Sequence, residues 1–155
     1  MYNAKQGWYR LLHPEKFVLP KDDYMKSYKD GKVQYKSSLE LKAFKYADWN
    51  PKVKHWSLEP FGIPYLNPLD GKQHRYYIDL VVEFVSGDRF LIEIKSFQET
   101  QKPRVPGKKT ARAIQNYQER LKTYLVNQSK WKYANKLCES KGYKFTILTE
   151  NELKI

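Results

Sequence analysis

The sequence predicts one α/β domain in which helices cover a mixed β-sheet, with an N-terminal arm in front of it. The predicted elements run helix, three or four strands, helix and strand, an order typical of a layered α/β domain. The chain has 155 residues, which suffices for one hydrophobic core. Aromatic residues make up 15% of it, far more than a disordered protein contains. We therefore assign residues 1–35 to the arm and residues 36–155 to the domain.

The arm mixes aromatic side chains with Lys, Pro and Gly. It shows no sustained period of 2 or 3.6 residues, so neither a long strand nor a long helix is predicted there. Such an arm either wraps around its own domain or docks on a partner. The sequence leaves both alternatives open.

The first element of the domain is a helix predicted over residues 37–47. Ser37 is suited to be its N-cap, and Asn50-Pro51 stops it. This assignment places Glu40 in the first turn of the helix.

Four strands are predicted next, from runs of β-branched and aromatic residues bounded by Pro, Gly and Asn. They span residues 53–59, 61–66, 75–85 and 89–97. Pro60 and Pro64 break the first two, and a turn follows at residues 67–71. The last two form a hairpin around Ser86-Gly87-Asp88.

The C-terminal part begins with a basic loop at residues 98–109 and continues as a helix. Apolar residues recur there at spacings of three and four, up to Gly142 as the expected end of the helix. Asn127-Gln128-Ser129 is a possible point of division into two helices. A last strand is predicted at residues 143–148.

The charge and the cysteine content limit the partners and the compartment. A net charge of +12 favours a polyanionic partner, above all nucleic acid, because Lys and Arg bound to phosphates release counterions. The alternative is a basic surface that binds nothing. Cys138 is the only cysteine, so no intrachain disulfide can form and a reducing compartment, the cytoplasm, is expected. No apolar run approaches the roughly 20 residues that span a bilayer, so no membrane partner is expected.

Three charged residues interrupt the strands of the predicted hairpin. In the second strand, alternation places Glu93 and Lys95 on the same face. In the first strand, Asp79 shares that face only if the loop holds an odd number of residues or a bulge is present. We therefore predict a three-residue loop around Gly87-Asp88-Arg89, or a bulge.

These residue types suit metal-assisted chemistry on phosphates. Mg²⁺ takes oxygen ligands and is held by one or two carboxylates together with waters and substrate phosphate. Asp79 and Glu93 meet this requirement. An ammonium beside them, that of Lys95, can orient the nucleophile or stabilise the transition state. A solvated face of an amphipathic strand is the alternative interpretation.

The arrangement resembles the PD-(D/E)XK nucleases, whose core places a glutamate on a helix, an aspartate on a strand and a (D/E)-x-K motif on the next strand. Glu40, Asp79 and Glu93-Ile94-Lys95 match this pattern, although Ile78 replaces the usual proline. A closer resemblance is to the head completion nuclease family of tailed phages, which is similar to the N-terminal domain of the TnsA transposon endonuclease. The segments that carry it are Tyr35-Lys36-Ser37-Ser38-Leu39-Glu40, Trp56-Ser57-Leu58-Glu59-Pro60, Ile63-Pro64-Tyr65, Asp70-Gly71 and His74-Arg75-Tyr76-Tyr77-Ile78-Asp79.

The resemblance implies a restriction-endonuclease-like core and roles for individual residues. Asp79 and Glu93 would ligate Mg²⁺, with Mn²⁺ as the expected substitute ion. The carbonyl of Ile94 would be a further ligand, and Glu40 would act through water or a second ion. Lys95 would complete the catalytic set. For Glu40, a favourable charge at the helix N-terminus is the alternative role.

DNA contacts are expected from cations beside these residues. His74 and Arg75 lie just upstream of Asp79, where a cationic side chain can reach a phosphate. A basic segment can bind the phosphates of the DNA backbone. We define this basic segment as Lys102, Arg104, Lys108, Lys109 and Arg112. Simple solvation is the alternative for all of them.

The resemblance implies a metal-dependent nuclease that hydrolyses double-stranded DNA and acts in phage head completion and head–tail joining. Its expected partners are double-stranded DNA and phage head or neck proteins, in the host cytoplasm or in the virion. One alternative is a catalytically silent DNA-binding plug at the neck. Another is a junction-resolving or transposition endonuclease, which would share the same core chemistry.

Overall fold

The structure is a computed structural model that describes residues 6–19, 26–58 and 61–153. Its helices are α1 (Ser38–Trp49) and α2 (Ala111–Lys141). Its strands are β1 (Gly7–Arg10), β2 (Tyr28–Lys29), β3 (Lys32–Tyr35), β4 (Val53–Leu58), β5 (Gly62–Leu66), β6 (Gln73–Tyr77), β7 (Leu80–Phe84), β8 (Arg89–Ile94) and β9 (Lys144–Leu148). The central sheet has the order β4-β7-β8-β9. Only β8 and β9 pair in parallel, so the sheet is mixed and the predicted restriction-endonuclease-like α/β fold is confirmed.

Both faces of the central sheet are covered. Ile92 and Ile94 of β8 belong to a cluster that includes the inner side of α1. Leu91, which points the other way, belongs to a second cluster with Trp131 and Ala134 of α2. Because side chains alternate along a strand, a strand between two helical layers is buried on both sides. The Glu93 carboxyl on β8 therefore lies in a poorly solvated environment.

The described part of the arm wraps around its own domain. Strands β1, β3 and β2 form a small sheet, and Val33 and Phe17 join the same hydrophobic cluster as α1. Asp48 of α1 is fully buried and accepts hydrogen bonds from the Tyr9 hydroxyl and the Leu12 N–H. These contacts satisfy a buried carboxylate with partners that only the arm supplies. Residues 1–5 and 20–25 of the predicted arm lie outside the described residues.

Two strand predictions were wrong in detail. The strand predicted over residues 75–85 is divided, because β6 pairs with β5 in a separate two-stranded sheet while β7 joins the central sheet. Pro64 does not break β5 but lies inside it. A proline is tolerated there because β5 pairs on one side only. Residues 59–60, at the predicted break before β5, lie outside the described residues.

Helix α2 is continuous for 31 residues, so the possible division at Asn127-Gln128-Ser129 does not occur. Asn127 is buried, and the Ser129 hydroxyl donates a hydrogen bond of 2.6 Å to the Leu66 carbonyl. These polar side chains therefore face the domain rather than interrupt the helix. The helix ends as predicted at Gly142, whose φ of +74° is left-handed. Within the described ranges, no helix is long and apolar enough to cross a membrane.

Candidate active site

The turn between β7 and β8 places Asp79 opposite Glu93. Leu80 pairs with Ile92. Extending this register by one residue pairs Asp79 with Glu93, which places their two carboxyl groups side by side. The loop is residues 85–87, closed by the Phe84 N–H donating to the Asp88 carbonyl. The predicted odd-length loop is therefore confirmed, but its predicted position around Gly87-Asp88-Arg89 was wrong. Gly87, with φ of +95°, ends the loop because it takes the left-handed conformation required there.

Asp79 and Glu93 form a close carboxyl pair that the backbone and one tyrosine orient. The Ile94 N–H donates to Asp79 Oδ2 at 2.8 Å, and the Tyr76 hydroxyl donates to Glu93 Oε2 at 2.5 Å. Burial, with the Glu93 charge adding to it, raises the pKa of Asp79 to about 7. Two carboxyl groups this close cannot both ionise without a compensating cation. Asp79 therefore keeps its proton below neutral pH, unless a bound cation takes the place of that proton.

Lys95 brings an ammonium group to the same place. Its Nζ lies 3.5 Å from Glu93 Oε1 and 3.9 Å from Glu99 Oε2. The backbone holds it there, because the Lys95 N–H donates to the Leu148 carbonyl and extends the pairing of β8 with β9. Asp79, Glu93 and Lys95 are thus brought together as the sequence predicts.

Glu40 reaches the site from the first turn of α1. Its backbone N–H donates to the Ser37 hydroxyl, and its Oε2 accepts in return from that hydroxyl and from the Lys36 N–H. This pairing confirms Ser37 as the N-cap and supports the helix-terminal role of Glu40. Burial, followed by the negative charge of Asp79, raises the pKa of the Glu40 carboxyl. Glu40 therefore caps the helix and also lies within electrostatic range of the carboxyl pair.

Comparison with known proteins identifies the family to which this geometry belongs. Residues 50–150 match the family model described as TnsA-like endonuclease N terminal. The head completion nuclease of Enterobacteria phage T4 is 40% identical over 123 residues, which cover 79% of this chain and 82% of that protein. The chain belongs to the TnsA-like endonuclease family. The predicted nuclease family and nuclease function are thereby confirmed, and the matched region contains Asp79, Glu93 and Lys95.

The donor set of this nuclease fits a hard divalent cation. Among the residues that the structure describes, no three His, Cys, Asp or Glu side chains come close enough to form a metal cage. Two carboxylates do come together, and Mg²⁺ is commonly held by two carboxylates with waters and substrate phosphates. The structure shows the Ile94 N–H bound to Asp79. The ligand role implied for the Ile94 carbonyl stays a prediction.

The residues predicted to contact DNA are distributed differently around the nuclease site. His74 is tied to Asp70, with 2.7 Å between Nε2 and Oδ2. Arg75 points away from the face of β6 that carries Tyr76, because neighbouring side chains alternate. Both residues are exposed. Neither is therefore placed at the carboxyl pair by any contact that the structure shows.

The basic segment lies beyond a short 3₁₀ helix, Phe97–Thr100, that directly follows Lys95. All five of its cations are exposed. Glu99 within that short helix contacts Lys95, so the polypeptide that leads to the segment starts at the carboxyl site itself. The role of the segment in binding DNA stays a prediction.

Two residues of the site were missed by the sequence analysis. Tyr76 contacts Glu93. In an unbroken strand, however, Tyr76 and Asp79 would lie on opposite faces, because side chains alternate and the two residues are three positions apart. The break between β6 and β7, which no local signal indicates, brings it to the same side. Lys130 of α2 also lies near the pair. A signal for it exists, because it follows the buried Asn127 by three residues and precedes the buried Ala134 by four.

Proposed function

We propose that this nuclease hydrolyses phosphodiester bonds of double-stranded DNA with the aid of Mg²⁺, for which Mn²⁺ can substitute. The observation that carries the proposal is the close pair of Asp79 and Glu93 with the Lys95 ammonium beside it, in a member of an endonuclease family. A net charge of +12 supports a polyanionic substrate.

Each residue of the site has a distinct task in this proposal. Asp79 and Glu93 hold the cation, and the Tyr76 and Ile94 hydrogen bonds keep the two carboxylates aimed at it. When bound, Mg²⁺ supplies positive charge at the attacked phosphate and makes water a better nucleophile. Lys95 donates hydrogen bonds to the charge that develops on the phosphate oxygens, because its ammonium is already placed before the reaction. Glu40 contributes through water or a second ion.

The biological setting follows from the relative. The phage T4 relative is a head completion nuclease, and it is similar to this chain over 79% of the chain's length. We extend that role to this protein, with phage head or neck proteins as further partners and the host cytoplasm and the virion as its locations. A catalytically silent plug is disfavoured, since a structural protein has no need for a buried and a partly buried carboxyl group beside a lysine.

Transposition or junction cleavage is the second candidate, because the matching family is described as TnsA-like. The same chemistry would serve either role, and only the preferred DNA shape differs. Comparing linear, nicked and branched duplexes separates the two. Faster cleavage of the branched substrate would favour this second candidate.

A cleavage assay tests the proposed function directly. Linear and closed circular duplexes are incubated with the protein and Mg²⁺, with Mn²⁺ or with EDTA, and the products are separated on a gel. We expect cleavage with either cation and none with EDTA. Conversion of the circle identifies endonucleolytic cutting. Cleavage that persists in EDTA would contradict a metal-dependent mechanism.

The basic segment should contribute phosphate contacts. Exchanging Lys108 and Lys109 for Ala is expected to weaken duplex binding and to lower the slope of log Kd against log salt by about one for each lysine. Lys141 is the matched control, because it is exposed at the opposite end of α2. Fluorescence anisotropy across a salt series measures the slope. A slope that stays the same after both exchanges would mean that the two lysines are only solvated.

A further inference from the structure

A second lysine approaches the carboxyl pair from α2. The Nζ atom of Lys130 lies 5.7 Å from the ring centroids of both Tyr65 and Tyr76. The Tyr76 hydroxyl is the group that donates to Glu93. The ring of Tyr76 therefore links the ammonium of Lys130 to the carboxyl site, and Tyr65 of β5 supports the ammonium from the neighbouring strand.

The charge of Lys130 is not neutralised by a direct ion pair. Within the described part of the chain, no carboxylate oxygen lies within 4.0 Å of its Nζ, whereas Lys95 contacts both Glu93 and Glu99. Burial, with the positive charge of Lys95 adding to it, lowers the pKa of Lys130, and the charges of Glu93 and Asp79 oppose this change. A half-buried ammonium held only by ring faces has hydrogen-bonding capacity left for an anion.

Packing alone does not account for a lysine at this position. Lys130 lies between the buried residues Asn127 and Ala134 on the inner side of α2. An apolar side chain of similar length would cover the two tyrosine rings without placing a second ammonium near Lys95. The charges of Glu93 and Asp79 offset part of the cost of bringing the two ammonium groups together, and an additional anion at the site would offset more of it.

We propose that Lys130 binds a phosphate of the DNA backbone next to the phosphate that is attacked at Asp79, Glu93 and Lys95. The inference deepens the proposed function and rests on it, because DNA is the anion that a nuclease site admits. Lys130 would fix the position of the DNA strand along the active site, while Lys95 would contact the phosphate that reacts. The two lysines then have separate tasks, one in binding and one in the chemical step.

Exchanging Lys130 for Met tests the role of the charge, because Met keeps most of the apolar stem against the rings. Binding is measured in an Asp79→Asn background, so that the DNA is not cut. We expect Kd for a duplex to rise roughly 5–10-fold and the salt slope to fall by about one. Lys130→Arg should restore both values, since it keeps the charge. Lys132→Met is the matched control, because Lys132 is an exposed lysine two positions further along α2.

Thermal unfolding of each variant shows whether it is folded, and Lys130→Gln replaces the Met variant if that one is not. A salt slope that is unchanged in the Met variant, or changed equally in the Lys132 control, would overturn the assignment of Lys130. This outcome leaves the proposed function intact if the wild-type protein still cleaves DNA with Mg²⁺. Absence of cleavage by the wild type with any divalent cation would instead overturn the proposed function, and the binding comparison would still decide the role of Lys130.

Discussion

Exchanging Asp79 for Asn is expected to remove DNA cleavage and Mg²⁺ binding together. A hard cation depends on charged oxygen ligands, and an amide supplies only an uncharged one. The amide oxygen can still accept the hydrogen bond that Asp79 accepts from the Ile94 N–H, so the local backbone should keep its geometry. We expect the cleavage rate to fall roughly 10³-fold or more, because several kcal/mol of transition-state stabilisation are lost. A plasmid-cleavage assay measures the rate, and calorimetry measures the binding of Mg²⁺.

The same exchange should stabilise the metal-free protein above neutral pH. Burial, aided by the Glu93 charge, raises the pKa of Asp79 from its ordinary value of 3.8 to about 7. The folded state thus keeps a proton that the unfolded chain releases, so the stability of the wild type falls as the pH rises from about 4 to about 7. The Asn variant has no such proton. We expect it to be more stable at pH 8 by roughly 2 kcal/mol, or roughly 4–8 °C in Tm, and the difference to shrink toward pH 4.

Asp88→Asn is the control for both effects, because Asp88 is an exposed carboxylate directly after the loop of the same hairpin. It should leave cleavage, Mg²⁺ binding and the pH dependence of Tm close to those of the wild type. Wild-type cleavage by the Asp79 variant would refute the metal site. Equal Tm values for that variant and the wild type between pH 5 and pH 8 would refute the raised pKa of Asp79.

Exchanging Lys95 for Ala should separate catalysis from metal binding. Loss of one donor to the transition state costs roughly 10²–10³-fold in rate, by analogy with groups that stabilise an oxyanion. The carboxyl pair stays in place and loses a positive neighbour 3.5 Å from Glu93 Oε1, so Mg²⁺ should bind at least as well as in the wild type. We therefore expect single-turnover cleavage to collapse while the Tm increase caused by Mg²⁺ survives.

Lys144→Ala is the matched control for Lys95. Lys144 also pairs with a carboxylate, that of Asp88, at 3.6 Å, but near the far end of the hairpin. Its exchange should change neither the cleavage rate nor the response to Mg²⁺. If Lys95→Ala cleaves DNA at the wild-type rate, the lysine is a bystander, and the match to the PD-(D/E)XK pattern fails at its most specific residue.

The sequence alone determined the elements whose signals are local. Ser37 begins α1 as its N-cap, and Gly142 ends α2, since both depend on residues within one helical turn. The alternation along β8 placed Glu93 and Lys95 on the same side, because the period of a strand is set by its backbone. Placing Asp79 on that side then called for a hairpin loop with an odd number of residues or for a bulge, and the structure contains the odd-length loop. The family and its nuclease function also followed from residues that can be read in the sequence.

Only the tertiary structure decided the features that depend on partners far apart in the chain. The division between β6 and β7 follows from the pairing of each strand with a different sheet, and it brings Tyr76 to Glu93. The arm docks because Asp48, buried in α1, needs the hydrogen bonds that the arm supplies. Lys130 approaches the carboxyl pair because α2 packs across the sheet, 37 positions after Glu93 in the sequence. The periodicity of the sequence shows which residues share a face of one helix or strand. Which other element packs against that face is decided only by the tertiary structure.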